Sequence, residues 1–171
     1  MTLSYSLEEI NQLDEAAFVD LLGSIYEETP AVAKRVWQTD GNRPFLSLQD
    51  LHRKMVAVVD RMSWSEQLAL IQAHPQLGAN AKMAEASVRE QKGAGLRQMT
   101  DAERKRIDEL NQAYVDKFGF PFVVAVKGYG KKEILAIFEE RLKNSREEEK
   151  RRSLAEINKI ARLRLEELIA E

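Results

Sequence analysis

The stretch "TDAERKRIDELNQAYVDKFGFPFVVAVKG", residues 100–128, changes character halfway along. Thr100 and Glu103 have the spacing of a capping box, in which a hydroxyl and a carboxylate each satisfy a free amide donor at a helix start. The pattern behind them continues as helix for about five turns and stops at Gly119, a residue suited to the left-handed conformation that ends helices. Phe122, Val123, Val124 and Val126 then favour extended backbone. No second strand is evident to pair with this run, so its buried donors and acceptors need other partners. Helix ends, water or a planar, amide-rich ligand could supply them. The segment therefore reads either as a packed connector or as one wall of a pocket.

Working outward, the same helix-start signal recurs at Ser6 to Glu9, Ser47 to Asp50, Ser63 to Glu66 and Ser145 to Glu148. Apolar residues follow at helical spacing: Phe18, Leu21, Leu22 and Ile25, then Leu51, Met55, Val58, Val59 and Met62. Thr29-Pro30 opens another helix, and Gly41, Asn42 and Pro44 mark a loop after it. Beyond the extended run, "KKEILAIFEERLKN" and "REEEKRRSLAEINKIARLRLEELIA" give two more helices. The last carries Leu154, Ile157, Ile160, Ala161, Leu165 and Leu168 on one side. With no repeat, linker or low-complexity tract, residues 1–171 read as one domain. The expected class is all-α: a single-domain helical bundle with one extended segment near residues 119–126 and a long C-terminal helix.

Composition narrows the function. A chain of 171 residues that is 44% hydrophobic can bury one good core and has no room for a second catalytic domain. A net charge of −2 with both signs interspersed argues against a nucleic-acid binder, and Arg104-Lys105-Arg106 and Lys150-Arg151-Arg152 read as solvated helix faces. The absence of cysteine excludes disulfides and thiolate chemistry, and His52 and His74 are too few for a histidine-rich metal site. The N-terminus has no basic region followed by an apolar core. No apolar run approaches the roughly 18 residues that span a bilayer, and the C-terminus is no peroxisomal address. A soluble cytoplasmic protein without membrane or nucleic-acid partners is expected.

Two short elements could carry chemistry. In "QAHPQLG", residues 72–78, proline disfavours helix in the residue before it, so the helix from about Ser65 should end near Ala73. His74 would then sit at a helix C-terminus, where the dipole favours a cationic imidazole suited to general-acid work. A plain helix cap is the alternative. His52, within a helix, reads as a surface residue. In "ASVREQKGAGL", residues 86–96, Ser87 and Glu90 have capping-box spacing, while Gly93 and Gly95 weaken any long helix. A short polar turn or helical stub remains.

Taken in order, "AHPQLG", "SVREQ", "AGL", "LNQAYVDKFGFPFVVAVKG" and "EINKIARLRLEEL" closely resemble the 2-oxo-4-hydroxy-4-carboxy-5-ureidoimidazoline (OHCU) decarboxylases of urate breakdown. The resemblance extends over nearly the whole chain. It implies an all-helical, cofactor-free and metal-free carbon–carbon lyase, usually a homodimer, that converts OHCU to (S)-allantoin and carbon dioxide. It further implies catalytic roles for His74, Glu90 and Arg164, with Arg162 as the alternative arginine because the Arg-Leu repeat permits a slip of two. Pro75, Ser87, Gln91, Phe120, Pro121, Phe122, Val123 and Val124 would line the substrate pocket. A hydroxyisourate hydrolase fused within these residues is not expected, since the resemblance uses them up.

Two other classes compete. A helical interaction module would dock a partner on the His-Pro turn and the FGFPF segment, in a shallow apolar groove. A helical metal-dependent hydrolase would use His74 with nearby carboxylates, although one suitably placed histidine serves that poorly.

Overall fold

The structure, a computed structural model, describes residues 4–78, 89–91 and 99–170. Helices dominate, as the periodicity predicts: α1 (Leu7–Asn11), α2 (Glu15–Leu22), α3 (Ala31–Gln38), α4 (Leu48–Arg61), α5 (Trp64–Gln72), α6 (Asp101–Phe118), α7 (Lys131–Arg141) and α8 (Arg146–Leu168). Residues 89–91 are also helical. Full capping boxes form at Ser6, Ser63 and Thr100, and Ser145 exchanges the same two bonds with Glu148. Ser47 caps α4 through the Asp50 amide. The Asp50 carboxylate, however, turns to the Leu46 amide and to Lys54 and Arg53 instead of reaching back to Ser47.

The described residues fall into two compact units, one within Met1–Ala73 and Asn158–Glu171, the other within His74–Ile157. In the first unit, Ile10, Phe18, Leu22, Val36, Leu51, Met55 and Val59 are fully buried, together with Ala161 and Leu165 of α8. A feature absent from the expected architecture also belongs here. Strands β1 (Tyr5–Ser6) and β2 (Ile169–Ala170) pair in parallel, Tyr5 opposite Ile169 and Ser6 opposite Ala170.

The second unit is built on aromatic packing. Tyr114 of α6 meets Phe120, Phe122 and Phe138 edge-on, at centroid distances of 6.0, 5.5 and 5.9 Å. Phe122 stacks on Phe138 at 3.8 Å. Gly119 ends α6 at φ 81°, where a side chain would be strained, as its position predicts.

The run after Gly119 forms no strand: residues 121–126 carry no regular secondary structure, although Phe120 and Phe122 to Val126 are all buried. Its backbone is satisfied by side chains. The Arg141 guanidinium donates to the Val123 carbonyl at 2.5 Å, and the Ala125 amide donates to the Glu156 carboxylate at 3.1 Å. Arg141, 2% exposed, is neutralised by Glu149, which is fully buried, at 2.9 Å. Tyr114 Oη donates to the same carboxylate, Asn144 reaches its second oxygen at 2.9 Å, and the Arg141 guanidinium also lies 4.5 Å above the Phe122 ring. A buried ion pair survives only when its hydrogen bonds are complete, and this one holds the extended run in place.

Candidate active site

Helix α5 ends at Gln72 with Ala73 as its cap, so His74 does follow a helix C-terminus directly. His74 is buried at 7% exposure, and Pro75 beside it is half-buried. Ser87 lies outside the described residues. Glu90 is half-buried and Gln91 buried, on consecutive positions of the helical turn at 89–91.

The structure joins the histidine turn to that helical turn. Gln91 Oε1 accepts from the Gly78 amide at 2.9 Å. Gly78 adopts φ 71°, and a Cβ there would come within 3.1 Å of Met99 and 3.3 Å of Ile107. Glycine is required for both reasons. On the other side of the same peptide unit, the Leu77 carbonyl accepts from Asn111 Nδ2 of α6 at 2.9 Å.

Phe120, Pro121, Phe122, Val123 and Val124 belong to the same unit as His74, Glu90 and Gln91, whereas Arg164 belongs to the other. Arg164 is buried at 7% exposure. Its Nη2 donates to the buried Glu27 carboxylate at 2.9 Å, while Nη1 reaches the carbonyls of Ser24 and Ile25 at 3.4 and 3.3 Å. Arg162 differs: it is partly exposed and pairs with Glu166 one turn along the helix at 2.9 Å.

His52 is not the surface residue that its position suggested. It is half-buried, and its Nε2 lies 2.7 Å from the Asn158 carbonyl, while Tyr26 Oη donates to the Asn158 side chain at 2.7 Å. Burial pushes the imidazole pKa of His52 down, the carbonyl contact opposing it only in part.

Glu27, Asn111, Arg141 and Glu156 escaped the sequence reading. For Asn111 a signal existed: it shares a helical stripe with Ile107, Tyr114 and Phe118, all buried, so a polar residue occupied a core position. Glu149, Ser153 and Glu156 interrupt the buried face of α8 in the same way. For Glu27, nothing in the local sequence points to a partner 137 positions away.

Among the described residues, no group of three or more His, Asp or Glu side chains is arranged to hold a metal ion, and no helix is long and apolar enough to cross a membrane. An open depression of about 260 Å³ is lined by Arg35, Gln38, Thr39, Val58 and Arg61, none of them a candidate site residue.

Comparison with known proteins gives this geometry its family. The model of the OHCU decarboxylase family matches residues 11–166, and the chain belongs to that family. The "2-oxo-4-hydroxy-4-carboxy-5-ureidoimidazoline decarboxylase" of Halalkalicoccus jeotgali is 43% identical over 95% of this chain and 91% of its own length. The "Uric acid degradation bifunctional protein" of Bacillus sp. (strain TB-90) is 46% identical over 96% of this chain but only 32% of its own. The chain thus spans about a third of the length of this relative and of its 42% identical counterpart from Bacillus subtilis (strain 168). Among solved structures, a crystal structure of (S)-allantoin synthase superposes with a TM-score of 0.80 at 28% identity, over 95% of this chain and 53% of that one.

Proposed function

We propose that this chain decarboxylates OHCU to (S)-allantoin and carbon dioxide, in the breakdown of urate. The observation that carries the reading is membership of the OHCU decarboxylase family over residues 11–166, with relatives of that name aligned along nearly their whole length.

The chemistry asks little of the protein beyond position and charge. Loss of carbon dioxide from the carbon bearing the hydroxyl pushes an electron pair toward the adjacent carbon–nitrogen double bond. The substrate's own imine is the electron sink, so the proposed reaction needs no bound cofactor. The enzyme must orient the leaving carboxylate, stabilise the electron-rich intermediate and deliver one proton to one face.

In this reading His74 controls the proton, directly or through a water, and Glu90 holds ureide N–H groups or tunes the imidazole. Arg164 meets an anionic substrate group with its planar fork of donors. Its burial and its anchoring by Glu27 favour it over Arg162, whose guanidinium is engaged at the surface. Pro75, Ser87, Gln91 and Phe120 to Val124 line the substrate. The anchoring of the Val123 and Ala125 backbone by Arg141 and Glu156 suits a rigid wall. A homodimer in the cytoplasm completes the proposal, on the family resemblance.

The test is to generate OHCU in situ from urate and follow allantoin by circular dichroism. Spontaneous decarboxylation passes through a planar intermediate open on both faces and yields racemate. The native protein is expected to give one enantiomer, faster than the blank. Racemic product at the blank rate overturns the reading.

A further inference from the structure

Two side-chain amides grip one peptide bond. The Leu77–Gly78 unit offers its carbonyl to Asn111 Nδ2 and its N–H to Gln91 Oε1, both at 2.9 Å. Only the NH₂ end of an amide can meet a carbonyl and only the oxygen can meet an N–H, so the orientation of both side chains follows. The peptide plane cannot rotate without breaking one of the two bonds. It lies three residues after His74, and one of its two holders is the immediate neighbour of Glu90.

We propose that Asn111 is a positioning residue for the reaction: through the Leu77–Gly78 peptide it sets the turn that presents His74, and with Gln91 it fixes that turn relative to Glu90. The proposal rests on the decarboxylase reading for its kinetic consequence but not for its geometry.

A second observation separates Asn111 from ordinary core filling. It is 6% exposed, and its Oδ1 finds no hydrogen-bond partner among the described residues. An orphan buried acceptor carries the full cost of lost hydration, which an apolar residue at the same place would avoid. An apolar residue of the same size would leave the Leu77 carbonyl without this donor. Gln91 has the complementary arrangement. Its oxygen is engaged by Gly78, and its NH₂ group is the end suited to a substrate carbonyl or carboxylate oxygen.

Asn111→Leu tests this, since leucine keeps most of the volume, removes the orphan oxygen and deletes the donor. Turnover is expected to fall by about 10- to 100-fold, the scale of a small misplacement of a reacting group, with KM changed by less than about threefold. In a His74→Ala background the same change should cost nothing further, whereas a merely structural role would lower both backgrounds alike. With two histidines in the chain, nuclear magnetic resonance gives a readout independent of activity. The His74 ring signals should move in Asn111→Leu, those of His52 should not, and Asn111→Ser serves if the leucine variant does not fold. Native protein without activity on OHCU would defeat the decarboxylase reading, and the His74 signals would still decide the clamp. Unmoved His74 signals in the folded variant overturn it.

Discussion

Arg164 and Glu27 form an ion pair at 2.9 Å, with both side chains more than nine-tenths buried. An arginine so held has a fixed orientation, and removing either member takes the opposite charge away from a buried group. Arg164→Ala is expected to raise KM for OHCU, and to lower turnover as well where the contact strengthens in the transition state. Arg162→Ala, at a partly exposed pair, should stay within about twofold of native in the same assay. Glu27→Ala should lower stability by about 3–5 kcal/mol in denaturant titration, because it removes the carboxylate paired with a buried guanidinium. Equal effects of the two arginine variants would remove Arg164 from the site.

Loss of either proposed acid–base partner should show in chemistry rather than in folding. His74→Ala and Glu90→Ala are each expected to cost at least about 100-fold in turnover, with native circular dichroism in the far ultraviolet. The stereochemical readout is sharper for His74. At equal final allantoin, His74→Ala should give a much weaker optical signal than native protein. Full rate and full optical purity in a folded His74→Ala would reassign proton delivery.

Arg141 and Glu149 make a separate prediction about stability. Arg141→Met leaves Glu149 charged, buried and short of its main partner, and removes the donor to the Val123 carbonyl. A loss of about 3–5 kcal/mol is expected. Arg141→Met combined with Glu149→Leu should cost less than the two single losses added together, since no charge is then stranded. A strictly additive double variant in denaturant titration would show that the pair is not coupled.

Stability is expected to fall at both ends of the pH range, for opposite reasons. Burial first, and then the Glu149 hydrogen bond, push the Tyr114 phenol well above its ordinary pKa; burial does the same for Tyr26, with Asp60 adding to it. Unfolded tyrosine ionises near about pH 10, so their contribution is intact below that and declines as the pH rises further. Asp50 is displaced the other way, mainly by its hydrogen bond from Lys54 and then by the Leu46 amide. Its contribution is present above the ordinary carboxylate pKa and disappears as the pH falls through and below it. Melting temperatures across the pH range should therefore decline on both flanks, and Asp50→Asn should flatten the acid one. An acid limb unchanged in Asp50→Asn would exclude that carboxylate.

What the sequence made legible was local. Capping boxes at Ser6, Ser63 and Thr100, the stop at Gly119 and the helix end before His74 depend on residues within four positions of each other, and all are found. The site motifs were legible as a family pattern. What escaped depends on distant partners. The run at 121–126 is rich in β-branched and aromatic residues, yet its neighbours are the side chains of Arg141 and Glu156 rather than a strand. Its composition reports burial, which extended propensity alone cannot distinguish from sheet pairing. The half-burial of His52 depends on a contact with the Asn158 carbonyl, 106 positions away, which no local pattern marks.

The parallel pairing of Tyr5–Ser6 with Ile169–Ala170 has a kinetic consequence. This ladder joins positions far apart in sequence, and a contact of such span must await closure of the long loop between them. During synthesis, Tyr5 and Ser6 are made long before residues 169 and 170 and remain without their strand partner until those have been added. Helix α1, which begins at Leu7 immediately after β1, meets that delay at its own cap, Ser6. Protection of the Ile169 and Ala170 amides in pulsed hydrogen exchange should accordingly appear after that of α6, whose hydrogen bonds to Leu77 and Glu149 span only 34 and 35 positions.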